Sequence, residues 1–511
     1  MTKRRQLSIR NRSGVVLFMV VAIILMMTLL TYGFLISMRT QNLAAANAGN
    51  QLQARQAAFS AREIVCSLLE DSLASRFAVG GLEHNPMLFS EIRLLFAGED
   101  REDFSSGGFV LSNLTDRRMG IINESAKINL QTLLSHDANS PGFGRDCLMR
   151  LPRMTESIAD HILDWIDKDD EPREFGAETE YYRDNNGILP RNATPPTLSE
   201  FENIPDVTRE MIFGASSQNP NDNQNGSPKE TIQIGQVGED ASIPWSRFLT
   251  VRSAERNETY EGLQRVHLNS TDLFELHTSL VELIDVETAN FVILARQYGI
   301  QSRTKSDNGT GSSSAKSPSG YPIDLTIPPV YEIESLLEIV GATIRIEDVE
   351  APENSIVVAS PYSGQTTNLD QRLETFLDET TVSRELVIQG RVNINLAPLE
   401  VLLSVPGIDE ELANQILAVR EGQKHNSKTC FWLLSNRLVN MEQMKSLIPS
   451  ITNRGEIASF MFGGWSHPND APMVYDAMVD ATGKTSKQLF CRRIVETKQI
   501  NDFFNKSNLD E

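Results

Sequence analysis

The chain has 511 residues, of which 40% are hydrophobic and 23% are charged, and its formal net charge is −21. This length predicts about three domains, and the composition is that of a folded globular protein. The negative charge disfavours a large nucleic-acid interface, because such interfaces need clustered Lys and Arg side chains.

The first predicted element is the uncharged, proline-free run 15–36, which is long enough to cross the hydrocarbon core of a membrane as a helix. Only basic charges precede it, so the N-terminus is expected in the cytoplasm and the chain from about Arg39 onward outside that membrane. We therefore expect a single-pass inner-membrane protein with most of its mass in the periplasm. A secretory signal peptide would have a shorter apolar core, whereas a generic single-span anchor remains an alternative.

Residues 1–14 form a short basic leader that ends in Gly14, directly before the apolar run. This arrangement resembles the signal of type IV prepilins, which a prepilin peptidase cuts on the cytoplasmic face; the cut would fall between Gly14 and Val15. Most pilins and pseudopilins have Glu at the fifth mature position, where this chain has Met19. The resemblance is therefore to the minor pseudopilin family general secretion pathway protein K, whose helix lacks that Glu and lies at the filament tip.

After the apolar run, hydrophobic residues recur at helical spacing over 52–69 and predict a long stem helix. Residues 37–119 are assigned to this stem and to the first part of a pseudopilin domain, with a predicted strand near 109–114. Towards the other end of the chain, 457–462 and 488–497 are predicted to be antiparallel strands of the same sheet.

The four cysteines lie far apart and include no CxxC pair: Cys66, Cys147, Cys430 and Cys491. Zinc binding and thioredoxin-type chemistry are therefore not expected. In an oxidising compartment the cysteines could form up to two disulfides, in three possible pairings, or stay as free thiols.

The most distinctive stretch is DWIDKDDEPREFGAETEYY, residues 164–182, which overlaps the end of a predicted helix over 158–166. Its carboxylates cluster at the C-terminal end of that helix, where the helix dipole disfavours anions. A hard cation would compensate, and calcium is preferred because it accepts about six to eight oxygen ligands, although the spacing is not that of an EF-hand. The predicted ligands are Asp164, Asp167, Asp169, Asp170, Glu171 and Glu178. The alternative is an acidic surface turn with Arg173 or Arg183 as its counter-charge.

Two segments have apolar residues at identical offsets around a proline, TLSEFENIPDVTREMI at 197–212 and PLEVLLSVPGIDEELA at 398–413. Each predicts a helix, a tight turn and a second helix, which resembles a helix-hairpin-helix unit, and 276–296 is a candidate degenerate copy. Such hairpins often bind DNA backbones through glycine amides, but Asp206 and Asp409 stand where the glycines would be. A membrane-anchored helix-hairpin-helix protein that binds DNA outside the inner membrane is therefore kept as the alternative function.

No catalytic constellation is recognisable, since the chain lacks the G-x-S-x-G, P-loop and H-E-x-x-H motifs. A metal-hydrolase site would need His161 beside Asp164 and Asp167, and a structural role for this histidine is favoured instead. The protein is therefore expected not to be an enzyme.

The acidic stretch, the proline-rich turn and hairpin after it, and the segment VNINLAPLEVLLSVPGIDEELANQIL resemble the protein K family. This resemblance implies an α+β fold: a long N-terminal transmembrane helix and a pilin-like αβ domain, interrupted by a large helical domain with helix-hairpin-helix-like repeats. It implies a minor pseudopilin at the tip of a type II secretion pseudopilus, which helps initiate or cap the filament for protein export. The implied partners are other minor pseudopilins, the inner-membrane secretion platform and a prepilin peptidase, and the implied ion is calcium.

The chain departs from the family in a Ser/Gly/Lys-rich stretch, which predicts a flexible linker. It also departs in an extra segment to which no role can be assigned. The predicted segments beyond the stem are the inserted helical domain 120–300, the flexible linker 301–320, the extra segment 321–389, the second hairpin unit 390–450 and the C-terminal pseudopilin strands 451–511.

Overall fold

The computed structural model describes residues 13–93, 106–112, 118–185, 187–214, 243–301, 316–347, 355–362, 371–421, 428–467 and 472–494. Residues 1–12 of the predicted leader and 302–315 of the predicted linker lie outside this part of the chain. Helices and strands both occur throughout the described residues, which confirms the predicted α+β class.

The helices and strands are numbered in chain order. The helices α1 to α15 are Ser13–Glu70, Leu73–Ala78, Pro86–Phe89, Leu130–Asn139, Phe143–Leu148, Glu156–Ile166, Thr179–Asn185, Arg209–Phe213, Leu273–Leu283, Val286–Tyr298, Arg372–Glu379, Leu399–Leu402, Glu410–Arg420, Trp432–Ser435 and Met441–Leu447. The strands β1 to β16 are Ile92–Arg93, Gly107–Leu111, Ile122–Asn123, Ile128–Asn129, Leu249–Thr250, Ala254–Arg256, Val266–His267, Thr343–Ile346, Ile356–Ala359, Thr380–Thr381, Val387–Gln389, Val392–Asn393, Ile451–Thr452, Ile457–Trp465, Met473–Asp480 and Lys487–Ile494.

Helix α1 is 58 residues long and joins the apolar run to the stem without a break. It continues past the apolar run because the following residues are mostly good helix formers and include no proline. The side chains from Val15 to Ile36 are exposed, and within the described residues this is the one helix long and apolar enough to span a membrane. The helix therefore fits single-pass membrane anchoring, as predicted.

The C-terminal half of α1 packs on an antiparallel sheet with the strand order β1-β2-β14-β15-β16, in which β3 also pairs with β14. In the resulting core, Val65 and Leu69 of the helix are buried with Phe460 and Phe462 of β14. Strands β1 to β3 precede the inserted region and β14 to β16 follow it, so the insertion separates two halves of one sheet. This arrangement fits the predicted αβ domain with a large insertion, but the insertion contains strands β4 to β13 as well as helices and is not the purely helical domain that was predicted. Strand β15, which was not predicted, lies between the two predicted C-terminal strands.

The stem helix approaches the sheet closely because small residues line both surfaces. A Cβ atom on Gly464 would lie 2.3 Å from the backbone nitrogen of Ala58 and 2.6 Å from the carbonyl oxygen of Ala54. A Cβ atom on Gly108 would lie 2.9 Å from the carbonyl oxygen of Ala57. Both distances are shorter than a side chain allows, so glycine is required where the helix crosses β2 and β14.

Replacing Gly464 by Ala is expected to lower the free energy of unfolding by about 1–3 kcal/mol, the usual cost of overpacking a core. The added methyl group would meet the backbone of α1, which cannot move aside like a flexible side chain. Denaturant unfolding of the full chain in detergent micelles would measure the loss. Gly483→Ala is the matched control, because its nearest neighbour would lie 3.6 Å away. Equal stability of the two variants would contradict the close contact.

The inserted region has its own large hydrophobic core, which draws on residues between 128 and 451. Trp165, Trp245 and Phe291 are among its fully buried side chains. The extra segment 321–389 contributes buried residues of β8, β9 and α11 to this same core. The segment is therefore part of the inserted body.

Both hairpin segments form a turn between two short helical elements. In the first, a 3-10 turn at Leu198–Asn203 leads through Asp206, at φ 63°, into α8. In the second, α12 leads through Gly407, at φ 91°, into α13, where the Asp409 carboxylate accepts a hydrogen bond from the Leu412 N–H at 2.8 Å. Asp409 therefore occupies a helix N-terminus that would otherwise attract a phosphate. These two turns give DNA binding no support.

Candidate metal centre

Helix α6 positions the first acidic side chains of the cluster. It begins after Thr155, whose hydroxyl accepts a hydrogen bond from the Ile158 N–H at 3.2 Å. Asp160 and Asp164 lie one turn apart and are fully buried, and Asp167 is the buried C-cap residue. Because the C-terminal end of a helix disfavours carboxylates, this end needs nearby positive charge.

Arg173 supplies most of that charge. Its Nη1 lies 2.6 Å from Asp164 Oδ1 and 2.5 Å from Asp167 Oδ2. Its backbone N–H donates to Asp164 Oδ2 at 3.2 Å, and its Nη2 lies 3.2 Å from Asp137 Oδ2 on α4. Of the two arginines proposed as counter-charges, Arg173 therefore fills that role, and no ion pair joins Arg183 to the acids of the described residues.

A second arginine neutralises Asp160. Arg145 on α5 binds this carboxylate with both arms of its guanidinium, at 2.7 Å from Nε to Oδ1 and 2.5 Å from Nη2 to Oδ2. The Phe175 N–H donates to the same carboxylate at 3.1 Å. Asp160 is thus fully paired, and the remaining Nη1 of Arg145 lies 3.3 Å from Glu174 Oε2.

Glu178 is the acid without a counter-charge. It is 5% exposed, and neither of its carboxylate oxygens accepts a hydrogen bond from any described residue. Asp167 Oδ1 is likewise buried and receives no donor from the described part of the chain. One ligand oxygen each from Asp164, Asp167 and Glu178 lie within 4.8 Å of one another. Arg173 therefore pairs with Asp137, Asp164 and Asp167, and within the described chain no cation pairs with Glu178.

Burial changes how these acids titrate. Burial, together with the charges of Asp164 and Asp167, raises the pKa of Glu178 to about 8. Burial also raises the pKa of Asp167 to about 6 and that of Asp164 above its usual value, although Arg173 opposes both shifts. These shifts favour the protonated form of Glu178 near neutral pH, and a bound cation would oppose that protonation.

The donor set fits a hard divalent cation. Its members offer only carboxylate oxygens, which calcium prefers, and a bound cation would satisfy the orphaned oxygens of Glu178 and Asp167. The chain also folds closely around Asp164: a Cβ atom on Gly176 would lie 1.9 Å from Asp164 Oδ2, so only glycine permits this approach. Asp164, Asp167 and Glu178 are the residues that would hold the ion.

The other three predicted ligands lie outside this group. Asp169, Asp170 and Glu171 are exposed on the turn after α6. Asp169 Oδ1 accepts a hydrogen bond from the Glu171 N–H at 3.0 Å, and Asp170 Oδ1 accepts one from the Thr179 N–H at 3.2 Å. These side chains therefore shape the loop that returns the chain to Glu178.

Sequence reasoning missed Asp137, Asp160 and Arg145 as members of the cluster. Asp160 precedes Asp164 by one helical turn, so helical spacing could have found it. Asp137 is fixed by accepting backbone hydrogen bonds from Gly142 and Gly144 at 3.1 and 2.8 Å. It reaches the site from another helix, and no local pattern shows this.

His161 does not join the acidic group. Its Nδ1 lies 2.6 Å from the Ser157 carbonyl oxygen, and its Nε2 is buried without a hydrogen-bond partner among the described residues. Its ring meets Tyr181 and Tyr182 edge-on. These contacts are those of a packed aromatic residue, and they give the metal-hydrolase alternative no support.

The residues predicted for processing and tip position lie at the start of α1. Gly14 and Val15 are in its first turn, and Met19 is about one turn further on. The side chains of Val15 and Met19 are exposed. The described chain therefore leaves them available to lipid or to neighbouring subunits.

A membrane-length N-terminal helix packs on an antiparallel sheet, and a body is inserted between two halves of that sheet, which is the arrangement predicted for a pilin-like protein. Residues 126–213 match the family model described as type II secretion system (T2SS), protein K. The matched segment contains all the acids and arginines of the cluster and the first hairpin. It confirms the resemblance to the protein K family in this part of the chain and supports a minor-pseudopilin role.

Comparison with curated proteins finds no match. Among solved structures, a chain of the GspK-GspI-GspJ complex from the enterotoxigenic Escherichia coli type 2 secretion system aligns with 88% of this chain and 99% of its own length. The sequence identity is 11% and the TM-score is 0.31. A likeness at this level carries no argument, so the family resemblance rests on residues 126–213.

Proposed function

We propose that the protein is a non-enzymatic minor pseudopilin of a type II secretion system. One observation carries the proposal: a single chain combines a membrane-length helix, a pilin-like sheet on that helix, and a protein K segment inserted into that sheet. An anchor or a sheet alone would suit many functions, whereas the combination narrows the role to filament assembly in secretion.

In this role the leader is removed between Gly14 and Val15, and α1 holds the subunit in the inner membrane with the rest of the chain in the periplasm. The apolar side chains of the membrane segment are exposed on every side of the helix. They therefore need lipid before assembly and neighbouring helices after it. Because lipid and helix neighbours are equally apolar, close packing can drive the exchange between them.

Two features support a place at the tip. Met19 is apolar where most pilins carry an acid that pairs with the N-terminus of the subunit above, so it suits a position with no subunit above. The inserted body adds a large second core beside the stem, and this bulk suits the end of a filament better than its shaft. The proposed partners are other minor pseudopilins and the inner-membrane secretion platform, and the proposed task is to initiate or cap the filament.

Calcium binding is proposed as part of this function, at Asp164, Asp167 and Glu178. When bound, the ion supplies positive charge to carboxylates that Arg173 neutralises incompletely. It would keep Glu178 ionised and hold the loop between α6 and α7 against the end of α6. The role is structural, since the cluster contains no nucleophile arranged beside a base.

The mature N-terminus tests the proposed class. Co-expression of the full chain with a prepilin peptidase is expected to give a protein that begins at Val15, as read by N-terminal sequencing or intact mass. The reason is that Gly14 directly precedes the apolar helix, where this peptidase cuts. Expression without the peptidase is the control and should leave the leader in place. An uncut chain in the presence of the peptidase, or a start near Gly49, would contradict the proposal.

A further inference from the structure

A polar cavity of about 230 Å³ lies in the inserted body and is lined by none of the acidic-cluster residues. Its walls are the segment between β6 and β7 and the segment between β10 and β11. Strand β7 pairs with β10, and β6 pairs with β11, so both walls are held at their ends. The volume is that of about eight water molecules, which is too small for a cofactor and suits one amino-acid side chain.

Asn257 fixes one wall of the cavity against the other. Its Nδ2 donates to Thr381 Oγ1 at 3.1 Å and to the Glu385 carbonyl oxygen at 2.9 Å. Its backbone N–H donates to the Leu386 carbonyl oxygen at 2.9 Å. Its Oδ1 is buried and receives no hydrogen bond from the described residues. Hydrogen bonds therefore hold the two walls of the cavity together, and Asn257 Oδ1 is enclosed within one of them.

Arg265 contributes a buried cation to the same cavity. Its side chain is 12% exposed, and its Nε donates to the Asp378 carbonyl oxygen at 2.8 Å. Its Nη2 lies 3.8 Å from Asp378 Oδ1, beyond hydrogen-bond distance, and that oxygen already accepts the Tyr260 N–H at 2.9 Å. Within the described chain the two Nη groups therefore have no hydrogen-bond acceptor.

The charges around the cavity favour an anion. Burial lowers the pKa of Arg265 to about 10; the charges of Arg454 and Arg391 add to this effect, whereas the charges of Glu255 and Asp378 oppose it. Arg384 lies exposed at the rim and makes no ion pair with the described residues, while Glu385 is the acid of the lining. The exposed Arg384 and the Nη groups of Arg265 are therefore the positive groups that the cavity offers to an anion.

We propose that this cavity binds a carboxylate carried by a polypeptide, with Arg265 and Arg384 pairing with the anion. Guanidinium–carboxylate hydrogen bonds are among the strongest in proteins because both partners are charged. A polypeptide carrier is favoured because a residue beside the acid can contact Leu386 at the rim. Leu386, 70% exposed at the rim, offers apolar surface to a neighbouring side chain. The site gives the extra segment 321–389 a role as one wall of a binding surface.

Calorimetric titration of the full chain in detergent micelles tests the ligand chemistry. The probes are N-acetyl-Leu-Glu-amide, its neutral isostere N-acetyl-Leu-Gln-amide, and glutarate as a small carboxylate without a peptide group. The Glu peptide is expected to bind roughly tenfold or more tightly than the Gln peptide, because a charge-assisted hydrogen bond is lost in the latter. It should also bind more tightly than glutarate. Equal binding of the two peptides, tighter binding of glutarate, or no binding at millimolar concentration would overturn the proposal.

Two variants test the site. Arg384→Glu reverses an exposed charge at the rim. This variant is expected to lower the affinity for the Glu peptide roughly tenfold or more, because the new carboxylate repels that of the peptide. Arg345→Glu makes the same change on β8, outside the cavity, and should leave the affinity unchanged. Arg265→Gln should also abolish the preference for the Glu peptide over the Gln peptide. If Arg265→Gln lowers the unfolding temperature, the comparison of Arg384→Glu with Arg345→Glu decides whether the cavity is the binding site. The same affinity in both Glu variants would rule the cavity out.

Discussion

Glu456→Ala is expected to lower the free energy of unfolding by about 3–5 kcal/mol, the cost of removing one partner from a buried ion pair. Glu456 is fully buried, with Oε1 3.1 Å from Arg454 Nη2 and 3.3 Å from Arg76 Nη1, and both arginines are buried as well. Burial alone raises the pKa of Glu456, but the charges of Arg454 and Arg76 outweigh it and hold the pKa below its usual value. The variant would leave two guanidiniums buried without this counter-charge.

The ion-pair network around Glu456 also connects different parts of the molecule, so its loss should affect more than the immediate surroundings of Glu456. The Arg256 N–H donates to Glu456 at 2.7 Å, and the Arg256 guanidinium donates to the carbonyl oxygens of Glu70 and Asp71 at 3.1 and 3.0 Å. These carbonyls lie at the C-terminal end of α1, where a helix leaves its acceptors free and favours cations. Glu456 therefore joins the stem, the sheet and the inserted body, and its removal should loosen the body on the stem.

Denaturant unfolding of the full chain in micelles, followed by circular dichroism, would measure the Glu456→Ala effect. Glu442→Ala is the matched control, because Glu442 has an 85% exposed side chain that lies 3.6 Å from Lys445. Surface pairs of this kind are worth about 0–1 kcal/mol. Similar losses in the two variants would show that the buried network contributes no more than an exposed pair.

The fold was predictable where the pattern is local. The membrane helix was predictable because a segment that crosses the lipid must be apolar along its whole length. Strand β15 was missed because its sequence, MVYDAMVD, carries acids that are typical of a loop. In the structure, Asp476 pairs with Arg492 on the neighbouring strand, at 2.8 Å from Oδ2 to Nη2. A cross-strand partner of this kind is invisible until the register is known.

The acidic site was predictable in its location but only partly in its membership. Helix periodicity placed Asp164 and Asp167 together at the end of α6. The sequence does not show that Asp169, Asp170 and Glu171 are exposed. Their position depends on the ion pairs that Arg173 makes with Asp164 and Asp167 at the end of α6. Nor does the sequence show that the close approach at Gly176 returns Glu178 to the cluster. Those are properties of packing, and residue spacing along the chain does not determine them.

If calcium binds at the proposed site, it is expected to stabilise the full chain by about 2.7 kcal/mol at a free concentration of about 100 times its Kd, because the three carboxylates are brought together only in the folded chain. At a fixed calcium concentration, the stabilisation by calcium should increase as the pH rises. Without metal, the folded pKa of Glu178, about 8, lies above its ordinary value of 4.5. Its contribution to stability is then fully present below pH 4.5 and is lost as the pH rises towards 8, at about 1.4 kcal/mol per pKa unit. Calcium replaces the proton, so it compensates most at pH 8.

Glu178→Gln separates the metal from the proton. In EGTA at pH 8 this variant should be more stable than the parent chain, because the amide has no buried charge to accommodate. In calcium it should gain little, because one of the three grouped carboxylates is missing. Glu171→Gln, on the exposed turn, should keep the full calcium response. Thermal unfolding in calcium and in EGTA at pH 6 and pH 8 gives all four comparisons. If Glu171→Gln lost the response and Glu178→Gln kept it, the ion would bind on the exposed turn instead of in the buried cluster.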